Sequence, residues 1–193
     1  MSTQVIQPKV KTDEFTSVLG MLVVLGSITM LFVALFVSYS ILRIQFGMWS
    51  KPGTGSLPFT LGIINTVILL GSSWSFYTGQ KYAKFGNNNQ TKLWLWITFF
   101  LGILFLAGQL NLWRILMDTG MTAHSSIVGS VFYMLTGMHG VHIVAAIAAL
   151  GWAILKSTKI PESVDVRPIK LVGLLWHFLD FLWICLFISI FII

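Results

Sequence analysis

The sequence predicts an all-α integral membrane bundle of five transmembrane helices, and three observations carry that prediction. Hydrophobic residues make up 56% of the 193 positions and charged residues only 9%, a balance far from that of soluble domains. The apolar residues fall into five runs, at about 15–42, 59–77, 93–113, 127–155 and 169–193. Each is long enough to cross ~30 Å of hydrocarbon as a helix of about 20 residues. The segments between the runs are rich in Gly, Pro, Asn and Ser, the residues that end helices and make turns.

The opening stretch, MSTQVIQPKVKTDE, is polar and lacks a basic n-region, a short apolar core and a small-residue cleavage site. Residues 1–14 are therefore expected to be an uncleaved, cytoplasmic polar segment ahead of a five-helix transmembrane domain at 15–193. The first run is followed by SKPGTGSLP at 50–58, the second by FGNNNQTK at 85–92, the third by MDTGMTAHSS at 117–126 and the fourth by KSTKIPESVDVRP at 156–168. Pro58 and Pro168 are expected just ahead of helices, where a missing N–H costs little. The single cysteine, Cys185, lies inside the last run. It can form no disulfide within the chain and no CxxC site, and reads as a packing residue.

Charge sets the expected orientation. Lys9, Lys11, Lys81, Lys84, Lys92, Lys156, Lys159, Arg167 and Lys170 fall on one side, and Arg43, Lys51 and Arg114 on the other. Because Lys and Arg accumulate on the cytoplasmic side, this predicts an N-terminus inside and a C-terminus outside. The net charge of +6 then reflects topology and contact with anionic lipid, with no sign of nucleic-acid binding. Trp49, Trp94, Trp96, Trp113 and Trp152 lie near run ends, as interfacial anchors should.

Four ionisable side chains interrupt the apolar runs: His139 and His142 in TGMHGVH, and His177 and Asp180 in WHFLDFLW. An Asp at mid-bilayer costs on the order of 2.5–3.5 kcal/mol on insertion scales, so such groups need partners or a purpose. Spacing of three residues puts each pair on one helix face, and the two pairs lie at matching depth. A His–Asp contact between the fourth and fifth helices, direct or through water, would satisfy both.

Four uses compete. Haem ligation would need histidines on facing helices with room for a macrocycle. A metal site would have three imidazoles and one carboxylate, a thin ligand set. A proton or ion path would use the same groups as titratable stepping stones. The fourth use, favoured by the chemistry alone, is structural: hydrogen-bonded clamps between helices or to another subunit. Gly129, Ser130, Gly137, Gly140, Ala145, Ala146, Ala148, Ala149 and Gly151 let backbones approach the fourth helix. Asn65, Thr66, Ser72, Ser73, Gln109 and Asn111 supply uncharged hydrogen-bonding groups, read as helix-packing residues.

The stretches INTVILLGSSWSFYTGQKYA (64–83), FYMLTGMHGVHIVAAIAAL (132–150) and LLWHFLDFLWICLFISI (174–190) resemble subunit III of haem–copper terminal oxidases, of both the cytochrome c and quinol types. TGxHGxH followed about 35 residues later by WHFxDxxW is a specific combination, and the likeness runs through helices two to five in order. The resemblance implies a non-catalytic subunit that flanks subunit I of an oxygen-reducing, proton-translocating complex of the aerobic respiratory chain. It further implies a bacterial cytoplasmic (inner) membrane location and a role in supporting proton uptake. Haem and copper would lie in partner subunits and none in this chain, phospholipid is an expected ligand, and partners would extend to other oxidase subunits and a respiratory supercomplex. Longer members have seven helices with a lipid-holding cleft, and this chain resembles the shorter five-helix form. On the family's motif positions His139, His142, His177 and Asp180 read as clamps.

Two departures from the family pattern stand out. The family's membrane-buried Glu of the first helix corresponds to Ile28, and the Glu expected three residues after Gln109 corresponds to Leu112. Asp180 is the sole carboxylate inside the five runs. The rival reading from another class is a small transporter or proton-conducting bundle that uses the His/Asp cluster, although no internal repeat supports it.

Overall fold

The computed structural model describes residues 9–46, 56–120, 122, 127–158 and 166–192. Within them the chain is helical apart from short turns: α1 (Lys9–Phe46), α2 (Ser56–Lys84), α3 (Asn88–Asp118), α4 (Ile127–Thr158) and α5 (Val166–Phe187), which runs on into a π-helical end, Ile188–Ile192. All five helices are long and apolar enough to span a bilayer. Each starts or ends beyond its apolar run, because a helix continues through the interfacial zone until a breaker stops it. Pro58 and Pro168 are correspondingly the third residues of α2 and α5, not residues ahead of them. First-turn N–H groups have no intrahelical acceptor, so proline is tolerated there equally well. Trp49, Lys51, Lys159 and most of the segments 50–58, 117–126 and 156–168 that carry the predicted breakers lie outside the described residues, wholly or in part.

The link between α2 and α3 shows how the sequence closes a membrane hairpin. The Phe85 N–H donates to the Tyr82 carbonyl at 3.1 Å, and Gly86 takes φ 71°, a left-handed conformation that glycine adopts without steric cost. The Asn87 side chain then caps α3 by accepting from the Gln90 N–H at 3.2 Å.

Helices α2, α3, α4 and α5 form a ring of neighbours, each packed on the next and α5 closing back on α2, while α1 lies outside against α5 and α4. The interior of the ring is aromatic and aliphatic, with Phe76, Phe105, Leu135, Leu179, Trp176 and Trp183 buried. Glycines make room for the two tryptophans' helix. A Cβ on Gly102 would stand 2.8 Å from the Trp176 ring and 3.2 Å from Ile147, and a Cβ on Gly173 would stand 2.8 Å from Phe76.

Candidate functional site

The polar side chains inside the spans sort into a seam, a cage and a set of buried amides. The seam runs between α2 and α5. The Trp183 Nε1–H donates to Thr66 Oγ1 at 3.1 Å, and the Trp176 Nε1–H donates to Ser72 Oγ at 3.3 Å. Ser73 Oγ meets His177 Nδ1 at 2.8 Å, and the Gln80 amide donates to the Ile169 carbonyl at 3.4 Å. The helices are antiparallel, so positions descending α5 meet positions ascending α2, roughly one link per turn between Thr66 and Gln80. Such links are worth about 0.6 kcal/mol each on average inside membranes, and several in series fix register as well as contact.

Asp180 lies beside this seam. It is buried, its carboxylate stands 3.7 Å from His177 Nδ1, and neither of its oxygens has a hydrogen-bond partner among the described residues. His177 is different: 39% of its side chain is exposed, and it lines an open groove of about 450 Å³ with Leu70, Ser73, Trp74 and Tyr77.

The α4 histidines sit elsewhere. His139 is 1% exposed and enclosed by rings from three other helices: Trp183 of α5 at 5.4 Å, Phe105 of α3 at 6.2 Å and Phe32 of α1 at 6.4 Å between centroids. Neither of its nitrogens has a hydrogen-bond partner among the described residues. His142 turns back on its own helix, its Nδ1–H donating to the Met138 carbonyl at 2.6 Å, with Phe32 5.7 Å away. The direct form of the expected contact between the α4 pair and the α5 pair does not occur: among the described residues no hydrogen bond joins them. The α5 histidine instead faces α2, and the α4 histidine that points inward meets aromatic rings. Depth counted along two helices does not fix their rotation about their axes, and it is other faces that meet here.

Of the predicted packing residues, Ser72 and Ser73 belong to the seam. Asn65 and Gln109 are buried, with Asn65 pressed against the Gly108 backbone. Asn65 Nδ2 and both Gln109 amide atoms have no hydrogen-bond partner among the described residues. Asn111 is exposed on α3 and takes no part in the interior. Links absent from the sequence reading include Trp176, Trp183, Ser75 and Thr98. Ser75 Oγ–H donates to the Trp94 carbonyl at 2.9 Å, and Thr98 Oγ1–H to Ser75 Oγ at 3.1 Å. Trp113 ties α3 to α4 by donating to Thr136 Oγ1 at 3.2 Å. The signal that could have found the α5 links is the position of Trp176 and Trp183 in mid-run, away from the interface, where a buried indole N–H needs an acceptor. Cys185 is half-buried on α5. Among the described residues no group of three or more His, Cys, Asp or Glu side chains could hold a metal ion.

Five apolar helices bound by scattered hydrogen bonds define a multi-pass membrane protein whose interior chemistry is that of helix packing. Comparison with known proteins makes this specific. The family model for cytochrome c oxidase subunit III matches residues 11–193. The chain is similar to a probable cytochrome c oxidase subunit 3 of Mycobacterium tuberculosis (34% identical over 177 residues, 90% of this chain and 86% of the relative). It is also similar to the cytochrome c oxidase subunit 3 of Corynebacterium diphtheriae (34% over 178 residues, 90% and 86%) and that of Synechocystis (31% over 177 residues, 90% and 74%). The chain belongs to the cytochrome c oxidase subunit III family, and it is a multi-pass bacterial membrane protein.

Proposed function

We propose that this chain is the non-catalytic subunit III of a bacterial haem–copper terminal oxidase of the aerobic respiratory chain. In this reading it packs against subunit I in the cytoplasmic membrane, steadies the complex, supports proton uptake through its neighbour and holds phospholipid. The polar segment 1–14 faces the cytoplasm and the C-terminus faces outward, as the distribution of Lys and Arg favours. His139, His142, His177 and Asp180, with Asn65, Ser72, Ser73 and Gln109, act structurally, and haem and copper belong to the partner subunits. The observation that carries the reading is the family match over residues 11–193. The links that Ser72 and Ser73 make from α2 to Trp176 and His177 of α5 support it.

The test is purification of the chain with its complex from native membranes in mild detergent. A haem–copper subunit I is expected alongside it, and its absence would overturn the reading. A second measurement separates a scaffold from a proton conductor. Asp180→Ala should lower the yield of assembled complex severalfold while leaving turnover per assembled complex nearly unchanged. Full assembly with lost turnover, or proton flux by the isolated chain in liposomes that Asp180→Asn abolishes, would favour a conducting role instead.

A further inference from the structure

The outer groove at the α2–α5 seam has features that lipid tails do not satisfy. His177 lies ~16 Å along α5 from its first residue at about 1.5 Å per residue, near the middle of a span. At that depth a side chain facing outward meets acyl chains unless protein covers it. His177 is nevertheless 39% exposed, and Trp74 and Tyr77, which line the same groove, are 71% and 60% exposed.

The polar chemistry of the groove is lopsided. Ser73 Oγ and Asp180 Oδ2 both lie on the Nδ1 side of the imidazole, at 2.8 Å and 3.7 Å. Both contacts of the ring are thus made by Nδ1, and Nε2 is left to an outside group, as donor or acceptor according to the tautomer. The hydrogen bond of His177 is made through Nδ1, and the buried carboxyl group behind it has no partner at hydrogen-bond distance among the described residues. The groove therefore presents an imidazole with a buried carboxyl group behind it, flanked by broad aromatic faces.

We propose that this groove is the docking face for a transmembrane helix of the partner subunit, one that offers a hydrogen-bonding side chain to His177 Nε2 while its apolar side chains pack on Trp74 and Tyr77. The proposal deepens the oxidase-subunit reading and rests on it. A lipid headgroup is a poor occupant because it lies at the membrane surface, whereas His177 is at mid-span. An acyl chain is poorer still, since it would bury the imidazole nitrogen without a hydrogen-bond partner. A shallow, open groove also suits the convex side of a helix.

The experiment uses the assembled complex in native membranes. A photo-crosslinking amino acid replaces Trp74 in one variant and Phe100, exposed on α3, in another. The expected result is a covalent adduct from position 74 to a membrane-spanning peptide of another oxidase subunit, and no such adduct from position 100. Complex that falls apart with the residue at 74 but not with that at 100 gives the same answer, because a docking face does not tolerate the added bulk. In parallel, His177→Leu should lower the fraction of subunit retained on the complex roughly threefold to tenfold, the effect of one intramembrane hydrogen bond, and His177→Gln should restore most of it. Adducts from position 74 to lipid or quinone alone, in a complex that keeps its partner, would overturn the docking face. So would retention unchanged by His177→Leu. Either result leaves the subunit III reading standing, since that reading fails only if no haem–copper subunit accompanies the chain at all.

Discussion

Helices α1 and α5 are both apolar enough to cross a bilayer, yet they are held in opposite ways. In the most apolar stretch of α5, 44% of residues are buried inside the molecule, and in that of α1 only 11%. Helix α5 contacts α1, α2 and α4 and carries two buried tryptophans whose N–H groups reach α2. Among the described residues of α1, Ile28, Phe32 and Tyr39 are buried in the core. Phe32, 1% exposed, packs beside His139 and His142, and the Tyr39 hydroxyl donates to the Ser189 carbonyl at 2.8 Å. The difference teaches that hydropathy measures a helix's fitness for lipid and says little about its grip on its neighbours. Without a hydrophobic force between helices in lipid, that grip depends on close fit and hydrogen bonds.

The contrast can be broken at its strong end first. Trp176→Ala removes a ring that stacks on Phe76 at 6.0 Å and donates to Ser72, and should cost about 3–5 kcal/mol, read as a large fall in the unfolding midpoint in detergent. Phe32→Ala should cost less, about 2–3 kcal/mol as an estimate at or below the low end for buried aromatics. Its effect should be local, with amide exchange rising in α1 and unchanged in α2 and α5. Exchange that rises equally everywhere would mean that α1 is as integral to the bundle as α5. Glycines give a sharper paired test. Gly102→Ala must displace the Trp176 ring or Ile147 and should destabilise by about 1–3 kcal/mol. Gly26→Ala, on α1 with nothing within 4 Å of its Cβ, should be neutral or stabilise by up to about 1 kcal/mol through helix propensity. The smallest effect expected is that of Thr66→Val, about 0.6 kcal/mol from the lost acceptor of Trp183, measurable by comparing unfolding of Trp183→Phe, Thr66→Val and the double variant.

The five helices were legible because length and breakers alone define a span: no residue pairing had to be known to see that the runs cross a membrane. The site was legible in depth but not in direction. His139, His142, His177 and Asp180 stood out as polar groups within apolar runs, and their levels along the helices could be counted. Which way each pointed could not, because a helix that is apolar all round lacks the 3.6-residue alternation that would mark its inner face. Hence a contact between α4 and α5 was expected, whereas His177 turned to Ser73 on α2 and His139 entered a ring of aromatic side chains. Trp176 and Trp183 belong to no link expected from the sequence, although their mid-run placement is itself evidence of N–H groups needing acceptors. Asn65 and Gln109 were expected as polar glue. They are buried as glue should be, and Asn65 occupies the space that a side chain on Gly108 would need, while its Nδ2 has no hydrogen-bond partner among the described residues.

The three-residue link at Phe85, Gly86 and Asn87 bears on how the chain enters the membrane during synthesis. A connection so short gives α2 and α3 no freedom to settle apart, so the two spans leave the insertion machinery side by side. Ser75 and Thr98 can then find each other before either hydroxyl has to face oil alone. The tight corner thus lets moderately polar spans cross as a couple, ahead of the arrival of α5 and its indoles.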